Sequence, residues 1–203
     1  MKWKREIENK ILIRLSNDLV DIFSSTGIKP IHLTFTSLLL ALASSFIYYF
    51  SKDIIYLYFV AGIFFLLSGF LDALDGALAR RKNMESRSGA FLDSTLDKIG
   101  ESAIFIGIIA SGVVTPLWGS LALSSSILIS YARSRAESLG VDLRGVGLME
   151  RAERIILISV ASFLEPFFKG VINLAMILLT ILSLVTLIHR IFYVNKALSH
   201  RLS

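Results

Sequence analysis

The sequence predicts an all-α membrane protein, with six transmembrane helices preceded by an N-terminal amphipathic interfacial helix. Three observations carry that fold class. Of 203 residues, 54% are hydrophobic and only 18% charged, against about 25% charged in an ordinary soluble domain. Six apolar runs approach the roughly 20 residues needed to cross a hydrocarbon core of about 30 Å. The basic residues also fall almost entirely to one side of those runs, as they do around the cytoplasmic ends of spanning helices.

Residues 1–28 come first. Trp3, Ile7, Ile11, Leu15, Leu19 and Ile22 recur at helical spacing with Lys2, Lys4, Arg5, Glu6, Lys10 and Arg14 between them. This pattern fits a helix lying on the membrane surface, or one packed on a partner or on the bundle itself. A continuous apolar core and a small-residue cleavage site are both missing there, so no signal peptide is expected. Residues 29–203 read as one transmembrane domain. Its expected spans are Ile31–Phe50, Ile54–Arg80, Gly89–Val113, Leu117–Glu137, Leu148–Phe163 and Gly170–Asn195, separated by Ser51-Lys52-Asp53, Gly112–Pro116, Gly140–Gly147 and Glu165-Pro166. Of the 21 Lys and Arg, only Lys52 and Lys169 lie in the odd-numbered connections, and Lys98 lies within the third span. The expected topology is therefore multi-pass in the cell membrane, with both termini and the 80–88 and 138–147 connections in the cytoplasm. In so apolar a chain the basic residues behind the net charge of +5 mark the cytoplasmic side of a membrane protein, and no nucleic-acid partner is expected. The lack of cysteine excludes disulfides, thiolate nucleophiles and Cys-based metal centres.

Acids at membrane depth are costly and mark function by default. The second expected span ends with Asp72 and Asp75, three apart, and the third begins with Asp93 and Asp97, four apart. On helices each pair shares a face, and the short Arg81–Ser88 connection makes the two helices antiparallel neighbours. Four facing carboxylates raise one another's pKa unless a cation compensates. An all-oxygen ligand set selects a hard divalent ion, Mg²⁺, Mn²⁺ or Ca²⁺. Gly76 and Gly89 would let a ligand approach the backbone, or let helices pack closely.

The pattern Asp-x2-Asp-Gly-x2-Ala-Arg-x8-Gly-x3-Asp-x3-Asp, filled by Asp72, Asp75, Gly76, Ala79, Arg80, Gly89, Asp93 and Asp97, resembles the signature of the CDP-alcohol phosphatidyltransferases. The resemblance implies six spans, a homodimer, and displacement at the β-phosphorus of a CDP-linked lipid by an alcohol, with release of CMP. It implies Asp72, Asp75 and Asp93 as metal ligands. Asp97 becomes the catalytic base and a ligand of the second ion, with two Mg²⁺ or Mn²⁺ ions as cofactor. Asp72, Gly76, Ala79 and Arg80 are implied to meet the nucleotide. Lys29-Pro30-Ile31-His32-Leu33-Thr34 is similar to the family's Pro-Asn-x-x-Thr entry to the first span. Ile31 stands at the Asn position, so Pro30 and Thr34 alone carry over, and a plain helix start explains Pro30 as well.

A second basic cluster bears on the acceptor. Ser130-Tyr131-Ala132-Arg133-Ser134-Arg135-Ala136-Glu137 and Glu150-Arg151-Ala152-Glu153-Arg154 resemble the phosphatidylinositol-phosphate synthase branch of the same family, whose acceptor is inositol 1-phosphate. On that resemblance Arg133, Arg135, Arg151 and Arg190 contact the acceptor phosphate, which arginine suits through bidentate geometry. The plain alternative for each arginine is the positive-inside rule, with ion pairs to Glu137, Glu150 and Glu153. Glycerol 3-phosphate is the competing acceptor. A divalent-cation transporter is the competing class, although its acids would line the whole membrane depth. A structural membrane subunit would not require four converging aspartates.

Overall fold

A computed structural model describes residues 20–25 and 27–199, and among these every regular element is helical. After a helical stretch over residues 20–25 come α1 (Pro30–Phe50), α2 (Leu57–Arg81), α3 (Arg87–Ala110), α4 (Pro116–Ser138), α5 (Arg151–Leu164) and α6 (Val171–Ser199). Most of the expected amphipathic segment, residues 1–19 and 26, lies outside the described residues. Its end docks on the bundle. Val20 is buried against Leu33, Leu74 and Leu78, and Asp21 pairs with Arg81 at 2.8 Å.

Local chemistry explains where the helices begin and end. Pro30 opens α1 in the position that needs no amide donor. Ser86 caps α3 by accepting from the Gly89 amide at 3.0 Å. Arg80 and Arg81 occupy the last turn of α2, and the chain then turns through Asn83 in the left-handed region. Pro116 starts α4. The buried Glu165 carboxylate accepts from the Gly170 and Ile172 amides at 2.7 and 2.8 Å, placing an anion at the start of α6.

Along α1, polarity is distributed inside out relative to a helix of a soluble bundle. Phe35, Leu39, Leu42 and Phe46 follow one another along the exposed face of α1. The buried face of the same helix carries Ser37, Ser44 and Ala41. Its hydroxyls bond across to neighbouring backbones: Ser37 to Ser68 O at 2.8 Å, Ser44 to Ala61 O at 2.8 Å and Ser45 to Ala103 O at 2.5 Å. Gly107 lies so close to the Ser45 backbone that any side chain would collide with it. Small residues inside and large apolar residues outside are the packing pattern of helices in lipid. This is a membrane protein.

Helices α1, α2 and α6 are long and apolar enough to cross a membrane. The other three helices are shorter or more highly charged. Asp93, Asp97 and Lys98 fall in the first half of α3, with Glu101 one turn beyond Asp97, and Arg133, Arg135 and Glu137 fall in the last turns of α4. Helix α5 has only 14 residues. Helix α1 packs on α2 and α3, α4 on α3 and α6, and α5 on α2 and α6. The C-terminal end of α2, the N-terminal end of α3 and the connection after α4 thus come to one end of the bundle. There Ala136, Val141 and Leu143 form a small core with Val194, Ala197 and Leu198 of α6.

Candidate active site

Helices α2 and α3 meet at that end with their acids facing. Asp72, Asp75 and Asp93 each present a carboxylate oxygen within 4.8 Å of the others. Asp75 Oδ2 and Asp93 Oδ1 are buried and accept no hydrogen bond from any described residue. Buried carboxylate oxygens without donors are costly, and a divalent cation bound by hard oxygen ligands supplies what is missing. The residues present therefore fit a metal. Asp97, one turn further along α3, lies apart from that trio, and its side chain is engaged by cations. Its Oδ2 lies 2.9 Å from Lys98 Nζ, and its Oδ1 pairs with Arg151, whose guanidinium also pairs with Asp72.

Two cavities flank the acids. The first, about 490 Å³, is lined by Pro30, Thr34, Asp75, Gly76, Ala79, Arg80, Gly89 and Asp93, among others. Every residue expected to meet a nucleotide except Asp72 lies on its wall, along with Ile31. A Cβ at Gly76 would meet only Arg80 Nη1, at 3.6 Å. Among the described residues no neighbouring helix packs on that glycine, so its missing side chain leaves room in the cavity. Gly89 differs, because a Cβ there would come to 2.9 Å from the Ser86 hydroxyl that caps α3.

The second cavity, about 1200 Å³, is lined by Asp72, Asp93, Asp97, Lys98, Arg133, Arg151, Arg154 and Arg190, among others. Asp93 belongs to both cavities. Arg133 is exposed and pairs with Glu137 at 2.9 Å. Arg190 is buried and donates to Val146 O and Ile129 O, both at 2.9 Å, with Glu150 3.7 Å away. It ties the 139–150 connection to α4. That connection is fixed further by Thr186, whose hydroxyl accepts from the Leu148 and Met149 amides at 3.0 and 3.1 Å. Gly147 permits this through φ +125° and close contact with Thr186.

Arg135 is not brought to this cavity. It is exposed in the last turn of α4, with Nη1 3.4 Å from the Ser138 hydroxyl. The reason is helical geometry: at 3.6 residues per turn, two positions beyond Arg133 is the opposite face. Sequence reasoning also passed over Lys98 and Glu101, and it offered Arg154 only nearby glutamates as partners. Arg154 Nε instead reaches Glu101 Oε1 at 2.6 Å, across from α5 to α3. The available signal was periodicity, since Glu101 stands four beyond Asp97 and Arg154 three beyond Arg151.

Known proteins resemble this chain in sequence and in fold. The sequence profile described as CDP-alcohol phosphatidyltransferase matches residues 28–189. The archaetidylinositol phosphate synthase of Pyrococcus horikoshii is 38% identical over 175 residues, covering 86% of this chain and 88% of that protein. The crystal structure of Mycobacterium tuberculosis phosphatidylinositol phosphate synthase with CDP-DAG bound superposes with a TM-score of 0.72 at 26% identity, over 91% of this chain and 94% of that one. The same enzyme in complex with manganese and citrate gives 0.73 at 25% identity, over 90% and 88%. A profile that spans from the start of α1 almost to Arg190, and so takes in the acids and most of both cavity walls, settles the relationship: the chain belongs to the CDP-alcohol phosphatidyltransferase family.

Proposed function

We propose that this transferase moves a phosphatidyl-type group from a CDP-linked lipid, CDP-diacylglycerol or CDP-archaeol, to the hydroxyl of inositol 1-phosphate in phospholipid biosynthesis, releasing CMP. One observation carries the reading. A carboxylate cluster forms the shared wall of two cavities, one open beside Gly76 and Arg80 and the other lined by arginines. The names of the similar proteins support inositol phosphate over glycerol 3-phosphate.

In this reading Pro30, Thr34, Gly76, Ala79 and Arg80 hold the cytidine and its phosphates, with Asp72 at the edge. Arg133, Arg151 and Arg190 attract the acceptor phosphate from the other side. Arg135, exposed on the far face of α4, is left with a surface role. The acceptor hydroxyl oxygen attacks the β-phosphorus as the bond from that phosphorus to the bridging oxygen breaks. The bond's electron pair leaves with CMP. The hydroxyl proton passes to the Asp97 carboxylate, a general base on the wall of the acceptor-side cavity. Asp72, Asp75 and Asp93, with Asp97, would hold two ions, Mg²⁺ or Mn²⁺. Bound there, the ions would neutralise the diphosphate and clamp the attacking and leaving oxygens. A cationic residue at each end of the acids confines the two phosphorylated substrates to opposite sides.

Six crossings, both termini and the active site on the cytoplasmic side, and a homodimer complete the proposal. The one-sided basic residues support the orientation. The decisive experiment is CMP release by purified protein in detergent with CDP-diacylglycerol or CDP-archaeol and Mg²⁺, offering inositol 1-phosphate, glycerol 3-phosphate, serine and inositol in parallel. Release is expected with inositol 1-phosphate alone, and it should stop in excess chelator and return with Mg²⁺ or Mn²⁺. Release with glycerol 3-phosphate instead would overturn the acceptor, and undiminished release in chelator would overturn metal catalysis.

A further inference from the structure

One buried ion pair takes no part in the chemistry just described. Glu101 of α3 and Arg154 of α5 are 7% and 2% exposed, with Nε and Oε1 2.6 Å apart. Glu101 Oε2 is taken by Lys98 Nζ at 2.6 Å, and that same ammonium stands 2.9 Å from Asp97 Oδ2. Arg154 Nη1 donates to Met149 O at 3.3 Å. Because Glu101 is four residues beyond Asp97 and Arg154 three beyond Arg151, each lies one turn deeper on the same helix face. The α3–α5 boundary therefore carries two rungs, Asp97–Arg151 near the mouth and Glu101–Arg154 below it.

A buried ion pair contributes little net stability compared with apolar residues of the same volume, yet removing one partner strands a charge. Its particular contribution is direction. Helix α5 packs mainly along α2 and α6, and its direct link to α3 is made by the polar rungs. We propose that Glu101 and Arg154 are positioning residues. Their rung sets the register of α5 against α3, which holds the Arg151 guanidinium between Asp97 and the acceptor cavity. Glu101 also keeps Lys98 beside Asp97 Oδ2. The inference rests on the acceptor-side reading given above.

The test is the double variant Glu101→Met/Arg154→Met, which removes both charges and leaves none unpaired. A folded double variant is expected to show an acceptor KM at least tenfold higher and a lowered kcat, with the KM for the CDP-linked lipid within twofold of wild type. Arg154→Lys, which keeps the charge with a single-point donor, should fall between. The chain has no cysteine, so spin labels at Ile99→Cys and Ile156→Cys, both on exposed positions, can report the α3–α5 distance by pulsed electron paramagnetic resonance. The distribution should shift or broaden in the double variant. Wild-type kinetics from the folded double variant, or superimposable distance distributions, would overturn the proposal. Failure of the double variant to fold would assign the pair to stability and overturn it too. A wild type that turns over no phosphorylated acceptor would defeat the proposed function instead, and the distance measurement would still decide the register.

Discussion

The two walls of the proposed reaction centre are built in opposite ways. The acidic wall comes from one continuous stretch, Asp72 to Asp97, folded into two antiparallel helix ends. The cationic wall is collected from Arg133 on α4, Arg151 on α5 and Arg190 on α6. Each acid's position follows from helical spacing and one short connection. Each arginine's position depends on how three helices and the 139–150 connection assemble. The difference teaches where a membrane site can be read locally and where it cannot.

Disabling the acidic wall should have the largest effect. Asp97→Asn keeps shape but cannot take the proton, and kcat should fall by about 10²–10⁴-fold. CDP-lipid binding, measured separately, should persist, and normal turnover would remove Asp97 from the role of base. The cationic wall offers a sharper contrast between two residues of the same type. Arg133→Ala should raise the acceptor KM by about tenfold, since a charge-assisted hydrogen bond to phosphate is lost at a partly exposed position. Arg135→Ala should leave that KM within about twofold. Equal effects from the two would mean that the face of α4 does not decide the acceptor site.

The smallest effect should come from the connection itself. Asp142 accepts from the Arg144 amide and Nε at 2.9 and 2.8 Å, which holds its carboxyl below the usual range. A lowered carboxylate pKa stabilises the fold above the usual carboxylate range, and that help is lost as pH falls. The pair is fully exposed and screened. Asp142→Asn should therefore leave the acceptor KM unchanged and move Tm by no more than about 1 °C at neutral pH. A larger change in KM would show that the connection reaches the substrate.

The same contrast explains what the sequence made legible. The helix ends of α1 and α2 fall within a few residues of the apolar runs, because Pro30 and the charged turn at Arg80-Arg81 punctuate them. The acidic trio was legible because its spacing is local. Helix α5 begins at Arg151, three residues after the apolar run suggested, because Leu148 and Met149 are held in the preceding connection by Thr186. No local pattern announces that contact from α6. Likewise Arg154 sits among Glu150 and Glu153 in the chain but spends its charge on Glu101, far away in sequence. Partner choice between distant helices is a property of the assembled bundle.

Helix α5 has a consequence for the surrounding lipid. Its 14 residues rise about 21 Å, well short of a hydrocarbon layer of about 30 Å, and Phe167 and Phe168 project outward just past its end. On the six-crossing reading, the bilayer beside α5 meets a shorter apolar belt than it meets beside α1 or α2. Such hydrophobic mismatch is relieved by local thinning of the membrane. The enzyme would then be sensitive to acyl-chain length in its host membrane as well as in its substrate, so membrane thickness becomes a variable that acts on catalysis.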